Sequence, residues 1–202
     1  MLTGKERLEQ MLSSRDILEK AGVLPPYMQV DERELIIELA REVPAGGLIV
    51  EVGALYGGST AVLALANPAA RIISVDDFSW SPVAGKPASK ERLLLGLAAV
   101  GVTIEEVIEG DSREVGKDWT EPIDFLLIDG GHSFQYVHAD LMNFGPHANV
   151  IAAHDYEDAK WKGEIQPAVA DFIKAHPCWY IEKVVNTTVV LRKNGGEKGA
   201  KE

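Results

Sequence analysis

Residues 48–65 read LIVEVGALYGGSTAVLAL. An aliphatic run carries Glu51 near its end, Gly53 follows, Gly57 and Gly58 come next, and a helix-like segment continues from there. A buried strand that turns through glycines into a helix is one unit of a parallel sheet. Glu51 needs its own explanation, because an acid at the end of a buried strand is unfavourable unless something satisfies it. A ligand amine or backbone amides would do so, and Ser59 or Thr60 is placed to cap the helix. The loop lacks the GxGxxG of dinucleotide enzymes and the lysine of a phosphate-binding GxxxxGK[ST] loop.

The same unit recurs on both sides of the stretch. Short apolar runs occur at 48–52, 71–75, 103–108, 123–128 and 149–153, with helix-like segments at 58–66, 89–100, 133–144 and 164–176. This alternation predicts an α/β fold, a doubly wound Rossmann-like sheet of five parallel strands covered on both faces. WYIEKV and TTVVLRK flank Asn186 too closely for a helix, so they predict a C-terminal antiparallel hairpin and seven strands in all. Ahead of the sheet, residues 5–20 (Leu8, Met11, Leu12) and 31–43 (Leu35, Ile36, Leu39, Val43) predict two helices separated by Pro25-Pro26. The expected organisation is a helical extension over 1–45, a main domain over 46–193 and a disordered tail over 194–202.

Of 202 residues, 46% are hydrophobic and 25% charged, the profile of one globular domain. The net charge of −11 argues against a nucleic-acid or anionic-membrane partner. No signal peptide or membrane-spanning run is seen. The one cysteine, Cys178, beside Trp179, reads as a small buried residue and allows no internal disulfide. A cytoplasmic location is the expectation.

Ligands of open parallel sheets bind at the carboxyl ends of the strands. The second strand ends in Asp76-Asp77, an acid about 20 residues after the glycine loop, the spacing of a ribose-binding carboxylate. The third ends in EGDS, where Asp111 and Ser112 suit either a base edge or a helix cap. The fourth ends in IDGGHS, with Asp129 and His132, and the fifth in IAAHDYED, with His154 and Asp155. Strands four and five should be neighbours, which would bring these acids and histidines together. Carboxylates so clustered call for a cation, Mg²⁺ by preference, with Mn²⁺, Fe²⁺ or Zn²⁺ admitted by a histidine ligand. The simpler alternative has His132 capping a helix and His154 packed in the sheet. No GxSxG supports a serine hydrolase.

Taken together, EVGALYGGST, ISVDD, EGDSREV, IDFLLIDGGHSFQYVHAD and IAAHDY make the chain resemble class I S-adenosylmethionine-dependent methyltransferases over residues 48–176. The nearest group is the catechol-type and sugar O-methyltransferases with a DGGHS segment. The resemblance implies S-adenosyl-L-methionine as cofactor. It implies a methionine-holding loop at Glu51 and Gly53, a ribose contact at Asp76 and base contacts at Asp111 and Ser112, with Tyr56, Gly57, Ser59, Asp77 and Asp129 as further cofactor-binding residues. Metal-dependent relatives carry an aspartate after strand four and an Asp-Asn pair after strand five. Asp129 and Asp155 match the aspartates, Tyr156 stands where the asparagine would be, and the usual lysine base is absent, with His132 its substitute.

The expectation is methyl transfer to a hydroxyl of a small acceptor such as a sugar, phenol or natural product. Asp129, Asp155 and His132 would hold a metal, and Asp129, His132 and His154 would serve catalysis. The loop FSWSPVAGKPAS would wall the substrate, and the N-terminal helices would form a lid or a homodimer contact. Three alternatives remain at this level. One is N-methylation on the same fold, another a nicotinamide dehydrogenase, and the last a nucleoside-binding module that has lost catalysis.

Overall fold

The computed structural model describes residues 12–24 and 27–194. Its elements are α1 (Ser14–Ala21), α2 (Val30–Glu42), β1 (Leu48–Val52), α3 (Gly58–Ala66), β2 (Arg71–Asp76), α4 (Lys90–Ala99) and β3 (Glu106–Glu109). These are followed by α5 (Ser112–Val115), β4 (Ile123–Ile128), α6 (Phe134–Phe144), β5 (Ala148–Ala153), α7 (Lys162–Ala175), β6 (Trp179–Val185) and β7 (Thr188–Lys193). They form the expected seven-stranded sheet, in the order β3-β2-β1-β4-β5-β7-β6. The first five strands are parallel, and β7 and β6 add antiparallel to β5.

The chain steps outward from β1 to β3, then returns across β1 to begin β4. The connections therefore diverge between β1 and β4, and a crevice opens at the carboxyl ends of these strands. All five residues of β1 are buried, as a central parallel strand requires. Ile49, Phe125 and Leu127 pack on one face with residues of α1 to α4, while Val50, Leu126 and Ile128 pack on the other with α6 and α7. Neighbouring residues of one strand thus serve opposite layers.

Three expectations change. Helix α1 begins at Ser14, with Leu12 and Ser13 outside it. Ser13 caps it: its hydroxyl accepts from Asp16 N and Asp16 accepts from Ser13 N, each at 3.1 Å. Strand β3 begins at Glu106 and not at 103, because its ladder with β2 starts at the Ile73–Glu106 pair. Cys178 is exposed, since it lies in the turn before β6 and Trp179 takes the core position. Leu8, Met11, Pro25-Pro26 and residues 195–202 lie outside the described residues. Among the described residues no helix is long and apolar enough to cross a membrane.

Candidate active site

A cavity of about 670 Å³ occupies the crevice. At its β3 edge are Gly110, Asp111, Ser112 and Tyr136; at its centre Gly53, Tyr56, Ser59, Asp76, Asp77 and Asp129; and toward β5 His132, His154 and Asp155. Of the residues singled out in the sequence, Glu51 and Gly57 do not line it.

Glu51 is fully buried. Side-chain hydroxyls, in place of the expected backbone amides, satisfy its carboxylate. Ser59 Oγ donates to one oxygen at 2.5 Å, and Thr60 Oγ1 and Ser74 Oγ donate to the other at 2.5 and 2.7 Å. The same bonds correct the expected cap, because Ser59 and Thr60 turn their hydroxyls to Glu51, and helix α3 is capped instead by the left-handed Gly57 (φ +84°). Burial pushes the Glu51 carboxyl up to about 7, against the opposing pull of the three hydroxyls. Glu51 thus ties β1, β2 and α3 together beneath the glycine loop.

That loop is tightly held. Gly53 has φ +92°, and a Cβ there would fall 2.2 Å from Asp129 O. Only glycine lets the β1 and β4 ends approach so closely. Asp76 holds the loop from the β2 side. One of its oxygens accepts from Ala54 N and Leu55 N at 2.8 and 2.7 Å, and the other from Phe78 N at 2.7 Å. These bonds secure Leu55, whose φ of +47° is unusual for a branched residue. The oxygen bonded by Phe78 N keeps a lone pair for a further donor. Asp77 is exposed and accepts from Ser79 N at 2.9 Å. Tyr56 shares its hydroxyl with Ser81 Oγ and Lys86 O, each at 2.6 Å, which anchors the 78–89 loop beside the cavity.

At the β3 edge Asp111 caps the short α5, accepting from Arg113 N at 2.9 Å. The Arg113 guanidinium, 2.6 Å away and stacked over Tyr136, holds the Asp111 carboxyl below its ordinary range.

The β5 side carries the densest charge. His154 Nδ1 lies 2.9 Å from Asp129 and 3.4 Å from Asp155, an ion-pair approach without the alignment of a hydrogen bond. Its Nε2 lies 3.2 Å from Glu32 of α2. His132 Nδ1 is 3.3 Å from Asp155, and its ring packs on Trp161 with centroids 5.0 Å apart. Burial opposes a charge on His154, but the carboxylates around it prevail and raise its pKa well above the usual imidazole value. Burial likewise works against ionised Glu32, yet hydrogen bonds from His154, Thr187 and Gln29 bring its carboxyl down to about 2. Asp155 sits at φ +59°, the kind of backbone strain that gathers at functional sites.

Asp129, His154 and Asp155 offer three ligand atoms within 4.8 Å of one another. The donor set fits a divalent cation: two carboxylates, and an imidazole whose far nitrogen is held by a third carboxylate, as metal-binding histidines are usually held. His132, expected as a ligand, contacts Asp155 but lies outside this group. Sequence reasoning missed Glu32, Arg33, Tyr27 and Met28 from the extension, and Lys160 and Trp161 beyond β5, all but Glu32 lining the cavity. Nothing local in the sequence marks them, and those of the extension reach the site only because α2 packs on the sheet with its first turn beside His154.

The sequence matches the family described as a methyltransferase domain over residues 50–156, more than half of the chain, and the chain belongs to that family. It is an S-adenosylmethionine-dependent methyltransferase. The fold is shared with solved structures of low identity. The O-methyltransferase NovP superposes with a TM-score of 0.68 at 15% identity, over 82% of this chain and 81% of that one. The S-adenosylhomocysteine-bound methyltransferase PaMTH1 of Podospora anserina gives 0.62 at 14% identity, over 96% and 97%. The O-methyltransferase TomG of Streptomyces achromogenes, involved in tomaymycin synthesis and solved with S-adenosylmethionine, gives 0.57 at 18% identity, over 96% and 100%. No curated protein matches the sequence.

Proposed function

We propose that the protein methylates a hydroxyl oxygen of a small-molecule acceptor, with a divalent cation held by Asp129, His154 and Asp155. One observation carries this reading: two carboxylates and two histidines converge on one wall of the cofactor cavity, where N-methylation needs neither a metal nor a strong base. When bound, the cation would lower the pKa of the acceptor hydroxyl and orient it. His132, steadied by Asp155 and Trp161, takes the hydroxyl proton as the oxygen bonds to the transferred methyl. Asp76 serves the ribose, and Asp111 and Ser112 the adenine, while Glu51 acts from below by shaping the loop. Tyr27, Met28 and Trp80 lie on the cavity wall, which supports a lid role for the 1–45 extension and a substrate-wall role for the 78–89 loop.

The test is product analysis with labelled S-adenosylmethionine on a panel of catechols, sugars and matching amines, with Mg²⁺, Mn²⁺ or a chelator. Methyl ethers formed only with metal, and lost in His132→Gln, are the expected result. Turnover of amines regardless of chelator would overturn the reading. Binding of S-adenosylhomocysteine with no turnover of any acceptor would favour a module that has lost catalysis.

A further inference from the structure

Arg33, in the first turn of α2, lines the cofactor cavity. Among the described residues its guanidinium has no carboxylate within ion-pair distance, and its Nε is sealed from solvent with no acceptor. Arg33 is half-buried, and a cation partly withdrawn from water without a counter-charge is unfavourable, so the arrangement calls for an anion in the cavity. The other basic side chains there already have partners. His154 lies between Glu32 and the Asp129–Asp155 pair, and His132 lies against Asp155. Lys160 is exposed and rests over the Trp161 ring at 4.1 Å.

The cofactor brings one anionic group, the carboxylate of its methionine moiety. Arg33 stands on the right side for it. Helix α2 packs against α3, the helix that follows the glycine loop, and the Glu32–His154 contact pins its first turn near Asp129. We infer that Arg33 binds the cofactor's carboxylate, so that the helical extension supplies part of the cofactor site. Arg33 lies outside residues 50–156, the segment matched to the family. A guanidinium fork suits a two-oxygen anion, and a charge-assisted pair of this kind corresponds to roughly ten- to a hundredfold in affinity.

This inference rests on the cofactor reading, and the experiment separates the two. Calorimetry compares S-adenosylhomocysteine with its decarboxylated analogue, which keeps the amine, thioether and nucleoside but lacks the carboxylate. Wild type should prefer S-adenosylhomocysteine by about tenfold or more, and Arg33→Gln should bring the two ligands within about twofold by weakening only the first. Arg33→Lys, which keeps the charge, should retain part of the preference, and Lys160→Gln most of it. Unchanged S-adenosylhomocysteine affinity in Arg33→Gln, including a variant that raises only the acceptor KM, would overturn the inference. Equal weakening of both ligands would also overturn it. If wild type bound neither ligand, the cofactor reading itself would fail.

Discussion

Glu32 and His154, 122 positions apart in the chain, meet at 3.2 Å and join the helical extension to the end of β5. Glu32 also accepts from Thr187 N at 3.0 Å, Thr187 Oγ1 at 2.6 Å, Thr188 Oγ1 at 3.1 Å and Gln29 N at 2.9 Å. One carboxylate thus holds α2, the terminal hairpin and His154. Glu32→Ala would strand these donors and leave His154 without its outer partner. Loss of one side of such a buried network costs about 3–5 kcal/mol. The expected outcome is a melting temperature lower by roughly 10 °C or more in circular dichroism. Glu32→Gln keeps an acceptor oxygen and should lose about half as much. A Glu32→Ala melt within 2 °C of wild type (roughly 1 kcal/mol or less) would remove Glu32 from this structural role.

Glu51 makes a prediction about pH. Its folded-state pKa of about 7 lies above the ordinary 4.5, so the folded protein binds this proton more tightly than the unfolded chain does. The resulting stability is fully present below pH 4.5 and fades as pH rises through 7. The whole span is about 3 kcal/mol, at roughly 1.4 kcal/mol per pKa unit. Glu51→Gln has no such titration. Urea unfolding should show wild type losing ground to Glu51→Gln between pH 5 and 8.5, with the variant still binding S-adenosylhomocysteine. A stability difference that stays flat over this range would show that the carboxylate is not held as the structure has it.

Much of this was legible because local pattern and tertiary role coincide. The aliphatic run before Gly53, the Asp76-Asp77 ending and the DGGH and HD endings each mark a strand terminus, and parallel topology places every such terminus at one edge. Convergence of Asp129, His132, His154 and Asp155 follows from β4 and β5 being neighbours. Glu32 and Arg33 were hidden for the opposite reason. In sequence they read as polar residues of an amphipathic helix, and their meaning appears only once the first turn of α2 is set beside the cavity. The partners of Glu51 were similarly ambiguous, because Ser59 and Thr60 have the right chemistry and position for a cap. Burial of a carboxylate within reach decided between the two uses.

Two glycines separate strain from crowding. Gly46 and Gly53 both have positive φ, +79° and +92°. A Cβ on Gly46 meets nothing within 4 Å, whereas on Gly53 it strikes Asp129 O at 2.2 Å and Gly130 N at 2.6 Å. Gly46→Ala should therefore lose about 1–2 kcal/mol from conformation alone. Gly53→Ala must also push β1 and β4 apart at the cofactor loop, so it should lose S-adenosylhomocysteine binding beyond detection by calorimetry and melt well below Gly46→Ala. Equal behaviour of the two variants would contradict the close approach.

The proposed cation site can be tested apart from turnover. Asp155 touches both histidines, and Asp129 approaches the same Nδ1 of His154. Replacing either carboxylate by its amide keeps the shape but removes a negative charge and a strong oxygen ligand. Mn²⁺ titration followed by electron paramagnetic resonance should show one site per wild-type chain. Asp129→Asn and Asp155→Asn should each weaken it by roughly tenfold or more. Glu32→Gln, which touches only the outer nitrogen of His154, should weaken it less than either. Binding of Mn²⁺ that is indifferent to both substitutions would place the ion elsewhere and return the wall to a hydrogen-bonded acid–histidine cluster, with His132 left to take the proton unaided. The order of the three variants matters as much as the size of each effect. A ligand lost from the cation must count for more than a ligand lost from the histidine that holds it.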